Sequence, residues 1–180
     1  MSEISPFSLL VSIATRSEQL ATDLPLRENT QTHWKGLGFN LLGQRFVVPL
    51  SEVGELMRLP SQTRLPGVKP FVTGIANVRG RLMAILDLAA FFGQNSILPK
   101  AQRRILAIED EERYFGFMID ESLGLQHFPS DAYSEDVREV DERYKPYLDG
   151  GYFVGGQVWP VLSLVKLAAD PDLEQLAIEA

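Results

Sequence analysis

The 180-residue sequence contains no cysteine. That excludes a disulfide framework, a thiolate metal site and a cysteine nucleophile. Histidine is nearly as scarce. His33 and His127 are the only two, and neither has a second histidine or a carboxylate at ligand spacing, so no zinc centre is expected. A basic stripe is missing too. The formal charge is -7, and Arg79, Arg81, Arg103 and Arg104 are too sparse to form a cationic track. Charge therefore argues against an RNA- or ribosome-binding barrel. No apolar run is long enough to span a bilayer, and Met1–Pro6 lacks the basic start and apolar core of a signal peptide. The expectation is a soluble cytoplasmic protein that binds no nucleic acid and does not insert directly into a membrane.

Catalytic signatures are equally thin. No serine sits in a nucleophile elbow. There is no P-loop, and Gly36-Leu-Gly38 is not followed by the third glycine and helix of a dinucleotide fingerprint. The run Glu109-Asp-Glu-Glu112 lacks the alternating ligands and glycine of a calcium loop and reads as a solvated hairpin tip. Glu135, Asp136, Glu139, Asp141 and Glu142 are spaced for an exposed helix or loop, with no glycosidase-like pair among them. Without a converging acid, base and nucleophile, the sequence predicts a non-enzyme with no metal and no cofactor.

What is present is a composition fit for a packed domain, 45% hydrophobic and 23% charged. Ser5-Pro6 reads as a helix start. Leu9, Leu10, Ile13, Leu20, Ala21 and Leu24 then recur at helical spacing until Pro25. This predicts an amphipathic helix over about 6–24, followed by a polar linker to residue 36. From Gly36 the texture changes to short apolar runs broken by glycine, proline and acidic turns, as in an all-β barrel or sandwich. Four hairpins are expected: Leu37–Leu42 with Arg45–Leu50, Ile75–Val78 with Arg81–Leu86, Ile105–Ile108 with Tyr114–Ile119, and Tyr152–Val154 with Gln157–Leu162. Gly80 and Gly156 stand where a tight turn needs positive φ, which glycine adopts without steric cost.

These elements repeat. Arg79-Gly-Arg-Leu-Met-Ala-Ile-Leu-Asp-Leu aligns with Gly155-Gly-Gln-Val-Trp-Pro-Val-Leu-Ser-Leu, so that Asp87 and Ser163 match as helix N-caps. Each opens a short apolar segment, Leu88–Phe92 and Leu164–Ala168. Phe46-Val-Val-Pro-Leu-Ser-Glu aligns with Phe115-Gly-Phe-Met-Ile-Asp-Glu. The order is the same twice: hairpin, acidic step, strand, proline, hairpin, short helix. The expected fold is mainly β, with short helices and an extra N-terminal helix and linker over residues 1–36. A first small barrel spans about 37–93, a second spans about 102–168, and residues 169–180 form a C-terminal tail. Glu52 and Glu55 leave the first barrel either as exposed edge charges or as the polar rim of an interface. Arg79 interrupts an apolar run at a turn that its duplicate makes with Gly155. It is either a contact for another protein or a structural residue bridging the barrels.

Phe46-Val-Val-Pro-Leu, Val53-Gly-Glu-Leu56 and Phe71-Val-Thr-Gly-Ile-Ala-Asn-Val-Arg-Gly-Arg-Leu-Met-Ala-Ile-Leu-Asp-Leu together resemble the CheW family of chemotaxis coupling proteins. The motifs are V-x-E-[IL], G-[VI]-x-N-[LV]-R-G and I-x-D-L, in the family's order. Ala107-Ile-Glu and Phe117-Met-Ile-Asp120 resemble its second-half strand. The match spans roughly Leu37 to Ala168. The N-terminal segment, Gly67-Val-Lys-Pro70 and Leu125-Gln-His-Phe-Pro129 are similar to the family's type IV pilus, twitching-motility adaptors. The resemblance implies two SH3-like five-stranded β-barrels. It also implies a non-enzymatic adaptor that couples a methyl-accepting chemoreceptor's cytoplasmic tip to the regulatory domain of a CheA-type histidine kinase. The family's coupling positions map onto Val53, Glu55, Gly74, Asn77, Arg79 and Gly80. Ser163 departs from the pattern, standing where an acidic residue is common. The other class considered is a double-barrel sensor with a small molecule in the inter-barrel cleft.

Overall fold

The apolar runs fold as strands. The computed structural model describes residues 33–110, 113–137 and 140–177. β1 (His33–Leu41) and β2 (Gln44–Pro49) form the first hairpin, and β4 (Val72–Val78) and β5 (Arg81–Asp87) the second. β6 (Arg104–Asp110) pairs with β7 (Arg113–Ile119), and β10 (Leu148–Val154) with β11 (Gln157–Leu162). All four hairpins are those expected. β3 (Glu55–Arg58), β8 (Glu121–Pro129) and the two-residue β9 (Tyr133–Ser134) complete the sheets. The helix expected over 6–24 lies outside the described residues. The linker assignment fails for residues 33–36, which belong to β1. There Trp34 pairs with Phe128 and Gly36 with Pro49. A Cβ at Gly36 would lie 2.6 Å from the Trp34 ring and 2.5 Å from Val47, so only glycine leaves that ring its place.

Strand pairing corrects the expected barrel boundaries. One sheet runs β9-β10-β11-β2-β1-β8 and the other β4-β5-β7-β6-β3. The first barrel is therefore not residues 37–93, nor the second 102–168. Each barrel combines the leading hairpin of one half with the trailing strands of the other. After β2 the chain crosses, and β3 pairs with β6 from Glu55↔Ala107 to Arg58↔Arg104. After β7 it crosses back, and β8 pairs with β1. The repeat itself is kept. Apart from β9, the two orders match position by position, and each contains one parallel pair, β11 with β2 and β5 with β7. A bridge between Thr63 and Ile75 carries the chain beyond β3 round to β4 in the five-strand barrel.

The exchange explains why several strands read as unbroken apolar runs, since both of their faces are buried. In β6, Ile105 and Ala107 fill the five-strand barrel, whereas Leu106 and Ile108 face the core shared by the two barrels. In β7, Met118 points into the barrel and Phe115, Phe117 and Ile119 into the shared core. In β2, Val47 lies inside the six-strand barrel, and Phe46 and Val48 in the shared core. The space between the barrels is thus packed with side chains.

Two short helices follow the duplicated hairpins. Asp87 caps α1 (Leu88–Phe91), accepting from Ala89 N, and Ser163 caps α2 (Leu164–Ala168), accepting from Lys166 N. Both caps were expected. At α2 the missing acid is supplied from elsewhere. Glu52 accepts from Leu164 N at 2.6 Å and lies 3.2 Å from the Ser163 hydroxyl, placing a carboxylate at the positive helix end. At α1 the cap is itself the acid, and Arg103 clamps it through two bonds of 2.8 Å.

Parts of the acidic segment after β9, and residues 171–177, pack against the body. Val137, Val140 and Tyr144 are buried. Tyr144 meets Phe46 at 5.0 Å and Phe92 at 4.7 Å, edge to face, and so ties β2 to the end of α1. α3 (Pro171–Glu174) buries Leu173, and Lys69 pairs with Asp172 at 2.9 Å. Tyr147 donates to Asp170 at 2.7 Å. Burial, reinforced by that bond, pushes its phenol well above the usual tyrosine range. A raised folded-state pKa means that the neutral phenol stabilises the fold below the ordinary value of about 10, and that this contribution fades as pH rises past it. Tyr147→Phe should reduce the alkaline loss of stability, measured by urea unfolding across that range; an unchanged slope would remove Tyr147 from the account.

Candidate partner-docking site

The β4–β5 turn is the starting point. Its two central residues, Arg79 and Gly80, have φ of 54° and 84°, the positive pair that a two-residue hairpin turn matching the strand twist requires. Asn77 secures the turn, its Oδ1 accepting from Gly80 N at 2.9 Å. The equivalent turn in the other barrel uses Gly155 and Gly156, with φ of 61° and 72°. Arginine therefore occupies a position that favours glycine, at a cost of roughly 1–2 kcal/mol.

Side chains from three neighbouring strands meet this turn. Arg79, 78% exposed, reaches Glu55 at the start of β3, with Nη2 2.7 Å from Oε1. Arg81 pairs with Glu109 of β6 at 2.7 Å, and its guanidinium lies 5.0 Å from the centre of the Tyr114 ring on β7. The hydrogen bond from Arg81, then its charge, holds the Glu109 carboxyl below its ordinary range, and Glu109 raises Arg81 in return. With Gly54 and Val78, these groups border a depression of about 200 Å³. The result is a preset surface of two charge pairs around a small recess.

The structure thus brings Glu55, Asn77, Arg79 and Gly80 together and sets two other expected site residues apart. Val53 is half-buried against the shared core. Gly74 is buried, and a Cβ there would lie 2.4 Å from the Thr63 carbonyl oxygen. Sequence reasoning missed Arg81, Glu109 and Tyr114 as neighbours of the turn. A hairpin reading carries the signal for Arg81, which flanks the turn, but none for the cross-strand Glu109. Glu52, grouped with Glu55 in the sequence, serves α2 instead. Among the described residues, no group of three or more His, Asp or Glu side chains could hold a metal ion, and no helix is long and apolar enough to cross a membrane.

The exchanged barrels thus present a charged, exposed turn beside a small recess. Residues 35–172 match the CheW-like domain, and the chain belongs to that family. It is 40% identical to Protein PilI of Pseudomonas aeruginosa over 179 residues, 99% of this chain and 100% of that protein. It is also 25% identical to Chemotaxis protein CheW of Bacillus subtilis over 92 residues, covering 51% of this chain and 59% of that one. The crystal structure of scaffolding protein TtCheW from Thermoanaerobacter tengcongensis superposes with a TM-score of 0.68 at 20% identity, covering 80% of this chain and 98% of that one. At that identity the likeness is one of fold. CheW-like proteins are scaffolds and adaptors, and this chain is not an enzyme.

Proposed function

We propose that this chain is a cytoplasmic adaptor that couples the tip of a methyl-accepting chemoreceptor to the regulatory domain of a CheA-type histidine kinase, in type IV pilus twitching-motility signalling. Family membership and full-length similarity to PilI support the pathway. The conformation of Arg79 carries the assignment of the surface. An exposed arginine is kept in the left-handed region where the duplicate hairpin has glycine, so the fold does not ask for it, and such strain concentrates at functional positions. Glu55 orients the guanidinium before any partner arrives, and arginine is a frequent interface anchor. In this proposal Glu55, Asn77, Arg79 and Gly80 make contact, while Val53 and Gly74 hold the scaffold beneath them.

A small molecule between the barrels is not favoured, because Leu86, Leu106, Phe117 and Leu162 fill that space completely buried. The test of the adaptor is capture from the native cell on wild-type protein and on Arg79→Gly. The wild type should retain a receptor and a histidine kinase, and the variant should lose most of the kinase. Capture of neither partner by the wild type would reject the adaptor. Equal capture by the variant would reject the surface.

A further inference from the structure

A second recess lies at the far end of the six-strand barrel, in the barrel's own mouth. Its volume is about 390 Å³, within the range of small-ligand sites, which barrel mouths often provide. Trp34, Tyr133 and Tyr152 form its aromatic wall, Pro49 adds an apolar side, and Asp149 is the one charged side chain among the described residues lining it. The rings are held in place. Trp34, Phe128 and Tyr152 pack as a triangle: Tyr152 lies 5.0 Å from Trp34 at 25° and 4.8 Å from Phe128 at 20°, and those two rings are 6.0 Å apart. Tyr133 stands 5.4 Å from Tyr152 at 60°, and its hydroxyl donates to the Asp149 carbonyl. Neighbouring strands thus fix two aromatic orientations around one acid.

We infer that this recess binds an organic cation, an alkylammonium group. Aromatic faces carry the negative lobe of the ring quadrupole and attract ammonium ions. The carboxylate adds to that potential, and among the described residues no cationic side chain lines the wall. A cation's alkyl part would find Pro49 and the rings. Lys166, outside the lining, pairs with one Asp149 oxygen at 2.6 Å and donates to the Leu148 carbonyl at 2.8 Å. It thereby orients the Asp149 carboxylate through one of its two oxygens. This site is separate from the Arg79 surface and does not depend on the adaptor proposal.

The experiment uses the full chain with its tryptophan indoles observed by ¹⁵N NMR, during titration with tetramethylammonium chloride and with Nα-acetyl-lysine methylamide. Sodium chloride at matched ionic strength is the control. The Trp34 indole signal should move saturably in the millimolar range. That of Trp159, which does not line the recess, should stay. Asp149→Asn and Tyr133→Ala should each weaken binding about fivefold. Both side chains are substantially exposed, and an unmoved Trp159 signal verifies that each variant is folded. Tighter binding of the quaternary amine points to a free small cation, and tighter binding of the lysine derivative to a side chain of a partner. No saturable shift from either probe, or wild-type binding by Asp149→Asn, would overturn the site.

Discussion

Arg103→Ala should destabilise the protein by about 3–5 kcal/mol, the usual cost of removing one partner from a buried ion pair. Arg103 is 2% exposed. Its two terminal nitrogens each lie 2.8 Å from an Asp87 oxygen, and its Nε lies 3.3 Å from Asp120 Oδ1. The Nε–H itself donates to the Ile119 carbonyl at 3.4 Å, so among the described residues Asp120 Oδ1 accepts no hydrogen bond and depends on the charge beside it. Truncation would leave two buried carboxylates facing one another without their cation. Asp87 caps α1, and Asp120 accepts from Leu42 N at the β1–β2 turn, so the loss reaches both barrels. Arg103→Lys keeps the charge but not the planar fork and should fall between wild type and alanine. Urea unfolding measures all three. A loss under about 1 kcal/mol for alanine, the scale of an exposed pair, would show that the cluster is not a structural bond.

Gly74→Ala should cost about 3 kcal/mol or more, through overpacking and broken backbone bonds. The added methyl would lie 2.4 Å from a backbone oxygen, which cannot swing away as a side chain would. Thr63 and Ile75 would have to part, breaking their reciprocal hydrogen bonds of 2.8 and 2.9 Å. The residue's φ of 153° adds strain for any side chain. Lost partner binding in this variant would follow its lost stability, with both recovering together at low temperature or in osmolyte. Full stability in Gly74→Ala would mean that the Thr63 bridge is not held as described.

What the sequence revealed was local. The four hairpins and the caps Asp87 and Ser163 were legible because a tight turn or a helix start is decided within a few residues, by glycine φ or by one side-chain oxygen. The duplication was legible for the same reason. Which hairpin joined which barrel was not. The partner of Glu55 is Ala107, and nothing near either residue announces the other. Arg103 was hidden beside Arg104, since two adjacent arginines before a strand look solvated until Asp87 and Asp120 are seen to converge. Glu52 resembled an edge charge because α2, which it serves, begins more than a hundred residues later. Val140 and Tyr144 were masked by the acidic residues around them. At the proposed docking surface, the family motif supplied Glu55, Asn77, Arg79 and Gly80. Only the fold showed that Val53 and Gly74 lie behind that surface and that Arg81, Glu109 and Tyr114 share it.

In the proposed adaptor, the stability of the β4–β5 turn and its use in binding are separable. Isothermal titration of the purified kinase regulatory domain into wild type and Arg79→Gly, with a thermal melt of each, tests this most directly. Glycine relieves the left-handed strain, while the exposed pair with Glu55 is worth at most about 1 kcal/mol, so the melting midpoint should stay level or rise. Affinity should fall by at least about tenfold, as for an interface anchor. Equal affinity in the two proteins, or a melting midpoint that falls together with affinity, would contradict the account.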